Sequence, residues 1–231
     1  MTGSILLTGA NRGLGLALAR HYAAEGWRVL ACCRRPEQAQ ALETLRQAHP
    51  ALSVHRLDVV EDRQVAELAH EIGDLPLDIL LHNAGVSGPK PQGFGPVDEA
   101  GWLATLRVNV IAPLKLSVAL VDNVAHSRRR IIAAMGSRMG SIGDNSSGGS
   151  YAYRTSKAGV HMVMRSLAID LAGRGIIAVA LHPGWVRTAI GGDQAPLEPD
   201  ESARGLARVL ADLGPEANGR LWAYDGRELP W

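Results

Sequence analysis

Short apolar runs alternate with longer amphipathic segments along the whole chain, and this alternation limits the possible folds more than any other feature. The apolar runs, such as SILLT at 4–8 and WRVLACC at 27–33, are continuous rather than alternating in polarity. Continuous runs of this kind are typical of strands that are covered on both faces. The segment between them carries apolar residues at helical spacing. The sequence therefore predicts an α/β fold, a doubly wound parallel sheet with helices on both sides.

The predicted elements continue in this order to the end of the chain. We expect strands at 4–8, 27–33, 52–59, 77–85, 130–137, 176–184 and 219–226. We expect helices at 13–26, 37–48, 62–72, 98–120, 150–173 and 199–213. Pro113 falls inside the fourth of these helices and is a candidate for a kink. Because the chain shows no repeat and no linker, we predict a single domain over residues 1–231.

Charge and cysteine usage argue against several classes of function. The formal net charge is +1, which gives no general attraction to nucleic acid or to an anionic membrane. The eight histidines show no metal-ligand spacing, so no metal site is predicted. No apolar run approaches about 18 residues, and apolar periodicity already begins at Ile5, so we expect neither a membrane span nor a signal peptide. Cys32 and Cys33 are adjacent and suit packing in a reducing compartment, which predicts a cytoplasmic protein.

A glycine-rich turn, TGANRGLG at 8–15, lies between the first strand and the first helix. Glycines at 9, 13 and 15 leave backbone amides free to face an anion, and they let a pyrophosphate come close. Tight packing of a turn explains some patterns of this kind. The order of strand, glycines and helix favours a dinucleotide site and a Rossmann-type sheet.

Arginines follow the second predicted strand, in ACCRRP. A dinucleotide fold that prefers NAD usually has an acidic residue near this point for the ribose 2′-hydroxyl. This chain has Arg34 and Arg35 instead, and Arg12 inside the glycine turn. Guanidinium groups suit a 2′-phosphate, although a solvated basic turn is the plainer alternative. We therefore predict that NADP(H) is favoured over NAD(H).

The stretch YAYRTSK at 151–157 offers two tyrosines for chemistry. Tyr153 and Lys157 are four residues apart and share a helix face, whereas Tyr151 has Thr155 at that spacing. Such a pair also arises by chance, so the spacing alone is weak. An ammonium about 4 Å from a phenol would lower its pKa by up to roughly three units at a dielectric constant of ~20. We predict Tyr153 as a proton donor tuned by Lys157, and Tyr151 as a pocket wall or packing residue.

A tyrosine acid needs a partner that polarises the same carbonyl. Ser137, at the end of the fifth predicted strand, is well placed for this role. Ser141 is a competitor on sequence alone, and either residue could be an ordinary turn serine.

Several motifs stand in the order found in the short-chain dehydrogenase/reductase family, which the whole chain resembles. They are TGANRGLG, HNAG at 82–85, Asn109, Ser137, YRTSK and HPGWVRT at 182–188. Within the family, DNSSGGSYAYRTSK and the ending YDGRELPW are most similar to C-factor and sniffer-like carbonyl reductases. Two departures are His82, where the family usually has asparagine, and a long loop between Ser137 and Tyr153.

The resemblance implies an Asn–Ser–Tyr–Lys catalytic set, which would be Asn109, Ser137, Tyr153 and Lys157. Ser137 would bind the substrate carbonyl, Tyr153 would protonate its oxygen, Lys157 would also hold the nicotinamide ribose, and Asn109 would anchor a proton-relaying water. The cofactor-binding positions implied by the same motifs are Gly9, Asn11, Arg12, Gly13, Leu14, Gly15, Arg34, Arg35, Asp58, Val59, Asn83, Ala84, Gly85, Tyr153, Lys157, Pro183, Gly184, Val186 and Thr188.

The leading hypothesis is therefore an NADPH-dependent reductase of aldehydes, ketones or quinones. A non-enzymatic, NADP-sensing regulator of C-factor type is the alternative, although a pure sensor has no need of Tyr153 and Lys157. A sugar epimerase or dehydratase is less suited, because those relatives usually carry a larger C-terminal region. The resemblance also implies a homodimer or homotetramer that pairs through the helices at 98–120 and 150–173. Candidate pocket residues are Met139, Ile142, Trp185 and the loop 86–94.

Overall fold

The computed structural model describes residues 3–231. Its strands are β1 (Ser4–Thr8), β2 (Arg28–Cys33), β3 (Leu52–Arg56), β4 (Ile79–His82), β5 (Ile131–Met135), β6 (Ile177–His182), β7 (Leu221–Ala223) and β8 (Glu228–Leu229). Its α-helices are α1 (Gly13–Ala24), α2 (Gln40–Ala48), α3 (Asp62–Ile72), α4 (Glu99–Leu106), α5 (Ala112–Ala125), α6 (Tyr151–Asp170) and α7 (Pro199–Asp212).

All eight strands form one sheet in the order β3-β2-β1-β4-β5-β6-β7-β8. Neighbouring strands are parallel except for β7 and β8, which are antiparallel. The strand order reverses at β1 and β4, and a crevice forms at the carboxyl ends of strands at such a point. The predicted class, a doubly wound parallel α/β sheet, is confirmed.

Helices cover both sides of the sheet, because successive residues of a strand point to opposite faces. Ile5 and Leu7 point to the side packed by α1 and α7, with Leu18 and Leu210 among its buried residues. Leu6 points to the other side, which α3, α5 and α6 cover. Both faces of β1 are fully buried, which explains why its sequence is continuously apolar.

Three predicted elements differ from the structure. The second predicted helix divides at Ala39 into a 3₁₀ turn (Pro36–Gln38) and α2, since Ala39 leaves the helical conformation at φ −95° and ψ 57°. The long helix predicted at 98–120 runs from Glu99 to Ala125 and contains a π-helical turn (Arg107–Ile111) directly before Pro113. The predicted last strand is a hairpin of β7 and β8, because Gly226 adopts φ +87° and reverses the chain.

The continuous helical segment from α4 to α5 is long and apolar enough to cross a bilayer by length and composition. Its inner face packs in the core through Leu116, Leu120 and Val124, which are fully buried. This inner face of the segment is therefore part of the core of the α/β fold.

Candidate active site

The glycine-rich turn after β1 packs too closely to its neighbours for most side chains. Gly9 has φ +68°, and a Cβ there would lie 3.0 Å from the Cα of Ala84. A Cβ at Gly15 would collide with the carbonyl oxygen of Gly9. The side-chain amide of Asn83 donates to the carbonyls of Thr8 at 2.9 Å and Gly9 at 3.2 Å, which fixes the turn against the end of β4. Helix α1 starts at Gly13 with no acidic residue in its first turn, so its amino end suits a phosphate.

Three exposed arginines lie beside this turn or after β2. Within residues 3–231, the side chains of Arg12 and Arg34 form no hydrogen bond or ion pair, and the side chain of Arg35 only approaches Gln38 at 3.4 Å. Glu37, the nearest acid in sequence, is paired with Arg56 at 2.9 Å. This edge therefore presents uncompensated positive charge, the arrangement that a 2′-phosphate requires.

The other predicted cofactor positions lie along the same edge of the sheet. Asp58 and Val59 follow β3, where the backbone N–H of Asp58 donates to Gln64 at 2.7 Å. The amides of Asn83 and Ala84 both donate to the Thr8 hydroxyl at 3.0 Å. After β6, Thr188 reaches the glycine turn, since a Cβ on Gly13 would lie 3.3 Å from its methyl carbon. The predicted residues at 183–188 thus meet those at 9–15 at the carboxyl edge of the sheet.

Asn109 lies in the π-helical turn that interrupts the α4–α5 segment. Its side chain bonds both backbone groups of Val86, at 2.9 and 2.8 Å, and the Ser156 hydroxyl at 2.9 Å. Pro113 has no N–H to donate to the Asn109 carbonyl four residues earlier. The N–H of Ala112 donates to the carbonyl of Arg107, five residues earlier, as in a π-helix. A turn of this type is frequent at functional sites. Both Nδ2 hydrogens and one lone pair of Oδ1 of Asn109 are therefore bonded within the protein, which fixes this side chain.

The two tyrosines of YAYRTSK differ in their surroundings. Tyr151 is exposed, whereas Tyr153 is partly buried, and the Ser137 side chain is near enough to lower the pKa of its hydroxyl. Ser137 caps the short 3₁₀ turn after β5, where its hydroxyl accepts from the N–H of Met139 at 3.1 Å. Ser141 is turned elsewhere: its hydroxyl donates to the Trp231 carbonyl at 3.0 Å. Of the two candidate serines, the structure brings Ser137 to the tyrosine.

Lys157 lies fully inside the protein, one helical turn after Tyr153. Its Nζ donates to the Met135 carbonyl at 2.6 Å and lies 5.6 Å from the centre of the Tyr153 ring. A Cβ on Gly85 would lie 3.8 Å from this Nζ and 3.3 Å from Oδ1 of Asn109. The four predicted catalytic side chains therefore come together from the π-helical turn, the end of β5 and α6.

The titration of this pair differs from the sequence-based expectation. Burial raises the pKa of Tyr153, and the Ser137 side chain lowers it by less. Burial also lowers the pKa of Lys157 to about 8. The expectation that Lys157 makes the phenol markedly acidic is wrong for this arrangement, because burial raises the pKa of Tyr153 and outweighs the effect that lowers it. A neutral phenol beside a largely protonated lysine remains a competent proton donor at neutral pH.

Two histidines near Ser137 were not predicted as part of the site. His161 on α6 and His182 at the end of β6 accept hydrogen bonds from the backbone amides of Ser137 and Arg138. His82, the noted departure from the family pattern, bonds the Ser117 hydroxyl at 2.8 Å within the core. No local pattern in the sequence marks a histidine that binds a distant backbone amide.

Apolar side chains around the site are unusually exposed. Ile142 is 82% exposed, Trp185 57% and Phe94 98%. The Trp185 indole N–H is bonded to the Gly191 carbonyl at 2.7 Å, which fixes the segment after β6. These residues were predicted as candidate pocket walls, and their exposure suits an open, apolar substrate site.

Comparisons with known proteins agree with this architecture. The sequence profile described as short chain dehydrogenase matches residues 4–198. The "C-signal" of Myxococcus xanthus is 44% identical over 156 residues, which cover 68% of this chain and 93% of that protein. The structure of the carbonyl reductase Sniffer of D. melanogaster has a TM-score of 0.94 and 34% identity, with all of both chains covered. The NADPH-bound carbonyl reductase from chicken fatty liver has a TM-score of 0.90 and 31% identity, covering 99% of this chain and 98% of that one.

Proposed function

The chain belongs to the short-chain dehydrogenase/reductase family of NAD(P)-dependent oxidoreductases, and from this premise we propose that it reduces aldehydes, ketones or quinones to alcohols with NADPH. One observation carries the proposal. Ser137, Tyr153 and Lys157 converge beside a glycine turn whose neighbouring arginines have no acidic partner in the described chain. The carbonyl reductases among the structural neighbours support the same substrate class.

In the proposed reaction, bound NADPH supplies a hydride to the carbonyl carbon. The Ser137 hydroxyl donates a hydrogen bond to the carbonyl oxygen, and Tyr153 transfers its proton there, which completes the alcohol. The phenolate that remains lies near the ammonium of Lys157, whose Nζ is 5.6 Å from the centre of the Tyr153 ring. Asn109 anchors the water through which Tyr153 regains a proton. Tyr153 and Lys157 also contact the cofactor in this proposal.

The residues along the crevice fit a dinucleotide phosphate. Gly9, Gly13 and Gly15 and the start of α1 would receive the pyrophosphate, and Arg12, Arg34 and Arg35 the 2′-phosphate. The remaining contacts would come from Asn11, Leu14, Asp58, Val59, Asn83, Ala84, Gly85, Pro183, Gly184, Val186 and Thr188. Structural neighbours that contain NADP or NADPH support NADP(H) as the preferred cofactor.

Replacing Arg34 tests that preference. We expect Arg34→Ala to raise KM for NADPH about 10- to 100-fold, because hydrogen bonds between charged groups contribute about 1.5–3 kcal/mol. KM for NADH should change little. Arg174→Ala is the matched control, since Arg174 lies before β6 at the opposite edge of the sheet and pairs with Asp122. Equal effects of Arg34→Ala on both cofactors would contradict a 2′-phosphate site.

A panel of aldehydes, ketones and quinones tests the reaction class itself. We expect NADPH oxidation with several of them, and exposed Ile142 and Trp185 favour bulky apolar members. Tight NADPH binding without turnover of any carbonyl would overturn the proposal. It would favour a second candidate, an NADP-sensing regulatory protein, which the similarity to the Myxococcus protein named C-signal supports.

We also propose that the protein is a cytoplasmic homo-oligomer. Exposed apolar side chains on the α4–α5 segment and on α6 support pairing through these helices: Leu103, Ile111, Leu114, Val118, Met162 and Ile169. Light scattering should give a mass of two or four chains, and Val118→Arg should reduce it. Wild-type protein with the mass of one chain at micromolar concentration would contradict this assembly.

A further inference from the structure

The turn that carries Ser137 lies beyond the last paired residue of its strand. The ladder between β5 and β6 ends at Met135 and Leu181. The amides of Ser137 and Arg138, which follow Gly136 in the turn, therefore need acceptors outside the sheet. Nε2 of His161 accepts from the N–H of Ser137 at 3.2 Å, and Nδ1 of His182 accepts from the N–H of Arg138 at 3.4 Å. Two histidines from different elements thus hold two consecutive amides.

The turn is also packed closely around the His161 ring, which is 3% exposed. A Cβ on Gly136 would lie 2.5 Å from Nε2, and a Cβ on Gly140 would lie 2.7 Å from Cε1. The ring of Trp231 packs against the same histidine, with centroids 5.3 Å apart. Gly136 and Gly140, before and after Ser137, both lie against the His161 ring. A shift of the ring would therefore require a shift of the turn.

Both histidines can accept these hydrogen bonds only while the accepting nitrogen is unprotonated. Burial, with smaller effects of Lys157 and His182, lowers the pKa of His161 to about 3. Burial and Arg138 lower the pKa of His182 to about 4. Both rings are therefore neutral over the physiological range. In His161 the proton is then on Nδ1, which has no hydrogen-bond partner among residues 3–231.

We propose that His161 and His182, the histidine pair, are positioning residues that set the Ser137 hydroxyl for the substrate carbonyl. The proposal rests on the reductase activity proposed above, in which Ser137 polarises that carbonyl. The pair acts through the backbone of the turn. Loss of either acceptor frees an amide and lets the serine hydroxyl move away from Tyr153, while the glycine turn and the arginines are untouched.

Acceptor-matched substitutions test the pair. The amide oxygen of glutamine can reach the place of Nε2, and that of asparagine the place of Nδ1. We expect His161→Leu and His182→Leu each to lower kcat about 10-fold, the equivalent of one hydrogen bond. KM for NADPH should stay within about 2-fold of wild type. His161→Gln and His182→Asn should recover most of kcat. His55→Leu is the control, because His55 lies on edge strand β3 with Ser53 and Glu71 as partners.

A leucine variant with wild-type kcat, or a glutamine variant no better than leucine, would overturn the proposal. Amide hydrogen exchange followed by NMR gives a readout that needs no substrate. The amides of Ser137 and Arg138 should exchange at least about 10-fold faster in the matching leucine variant, with Ile132 and Ala133 of β5 unchanged. Unchanged exchange would overturn the histidine pair even in an active enzyme. If exchange is accelerated but the protein reduces no carbonyl, the role of the histidine pair in holding the turn is supported and only the proposed reductase activity is contradicted.

Discussion

Tyr153→Phe should lower kcat for carbonyl reduction about 10²–10⁴-fold, the usual contribution of a positioned proton donor. The substitution removes one hydroxyl near Ser137 and leaves the ring beside Lys157. Affinity for NADPH, measured by fluorescence titration, should fall less than about 10-fold, because the glycine turn and the arginines are intact. The loss should therefore appear in turnover far more than in cofactor binding.

Tyr151→Phe is the matched control for that experiment. Tyr151 is two residues earlier on the same helix and is 44% exposed, so its hydroxyl takes no part in the proposed proton transfer. We expect this variant to keep kcat within a few-fold of wild type. If Tyr151→Phe loses turnover and Tyr153→Phe does not, the assignment of the donor is wrong. A regulatory protein would keep its cellular effect in both variants.

Lys157→Met should abolish most turnover and at the same time stabilise the cofactor-free protein. We expect kcat to fall about 10²–10³-fold, the range seen when a preorganised electrostatic contact is removed. The stability gain follows from burial, which lowers the pKa of Lys157 from 10.5 to about 8. This lowered pKa means that the charged lysine reduces the free energy of unfolding by about 3 kcal/mol at neutral pH. Its hydrogen bond to the Met135 carbonyl offsets about 1 kcal/mol of this loss. The expected net gain is about 2 kcal/mol.

The pH dependence of that gain gives a second check. Below pH 8 the lysine is charged in both states, so its cost is fully present. Between pH 8 and about 10.5 the unfolded chain binds more protons than the folded one, so wild-type stability rises with pH. The advantage of Lys157→Met over wild type, measured by urea unfolding without cofactor, should therefore shrink from pH 7 to pH 9.5. An advantage that grows with pH, or a less stable variant at pH 7, would contradict a desolvated lysine.

Local sequence patterns were sufficient to predict the layout of the fold. Continuous apolar runs such as 4–8 marked strands buried on both faces, and these strands form the parallel sheet. Strand β8 was not predicted, because its two residues, Glu228 and Leu229, are too few to show a period. The Asp225–Gly226 pair was the available signal for that hairpin.

The candidate site was predictable where its residues lie on one element or at a strand end. The spacing of Tyr153 and Lys157 placed both on one helix face, and Ser137 follows β5 directly. Their titration was not predictable, because burial by distant elements outweighs the attraction between neighbours on a helix. The histidine pair was not predicted for a similar reason. His161 is 24 residues from Ser137, and only the folded chain brings its imidazole to that amide.

Isotope transfer tests the central claim most directly. The experiment uses NADPH that carries deuterium at both C4 positions of the nicotinamide. It is mixed with wild-type protein and a carbonyl that the protein reduces, and the alcohol is analysed by mass spectrometry. The account predicts one deuterium at the former carbonyl carbon for each NADPH oxidised, with the rate nearly lost in Tyr153→Phe and kept in Tyr151→Phe. Alcohol without deuterium at that carbon, or an unchanged rate in Tyr153→Phe, would contradict it.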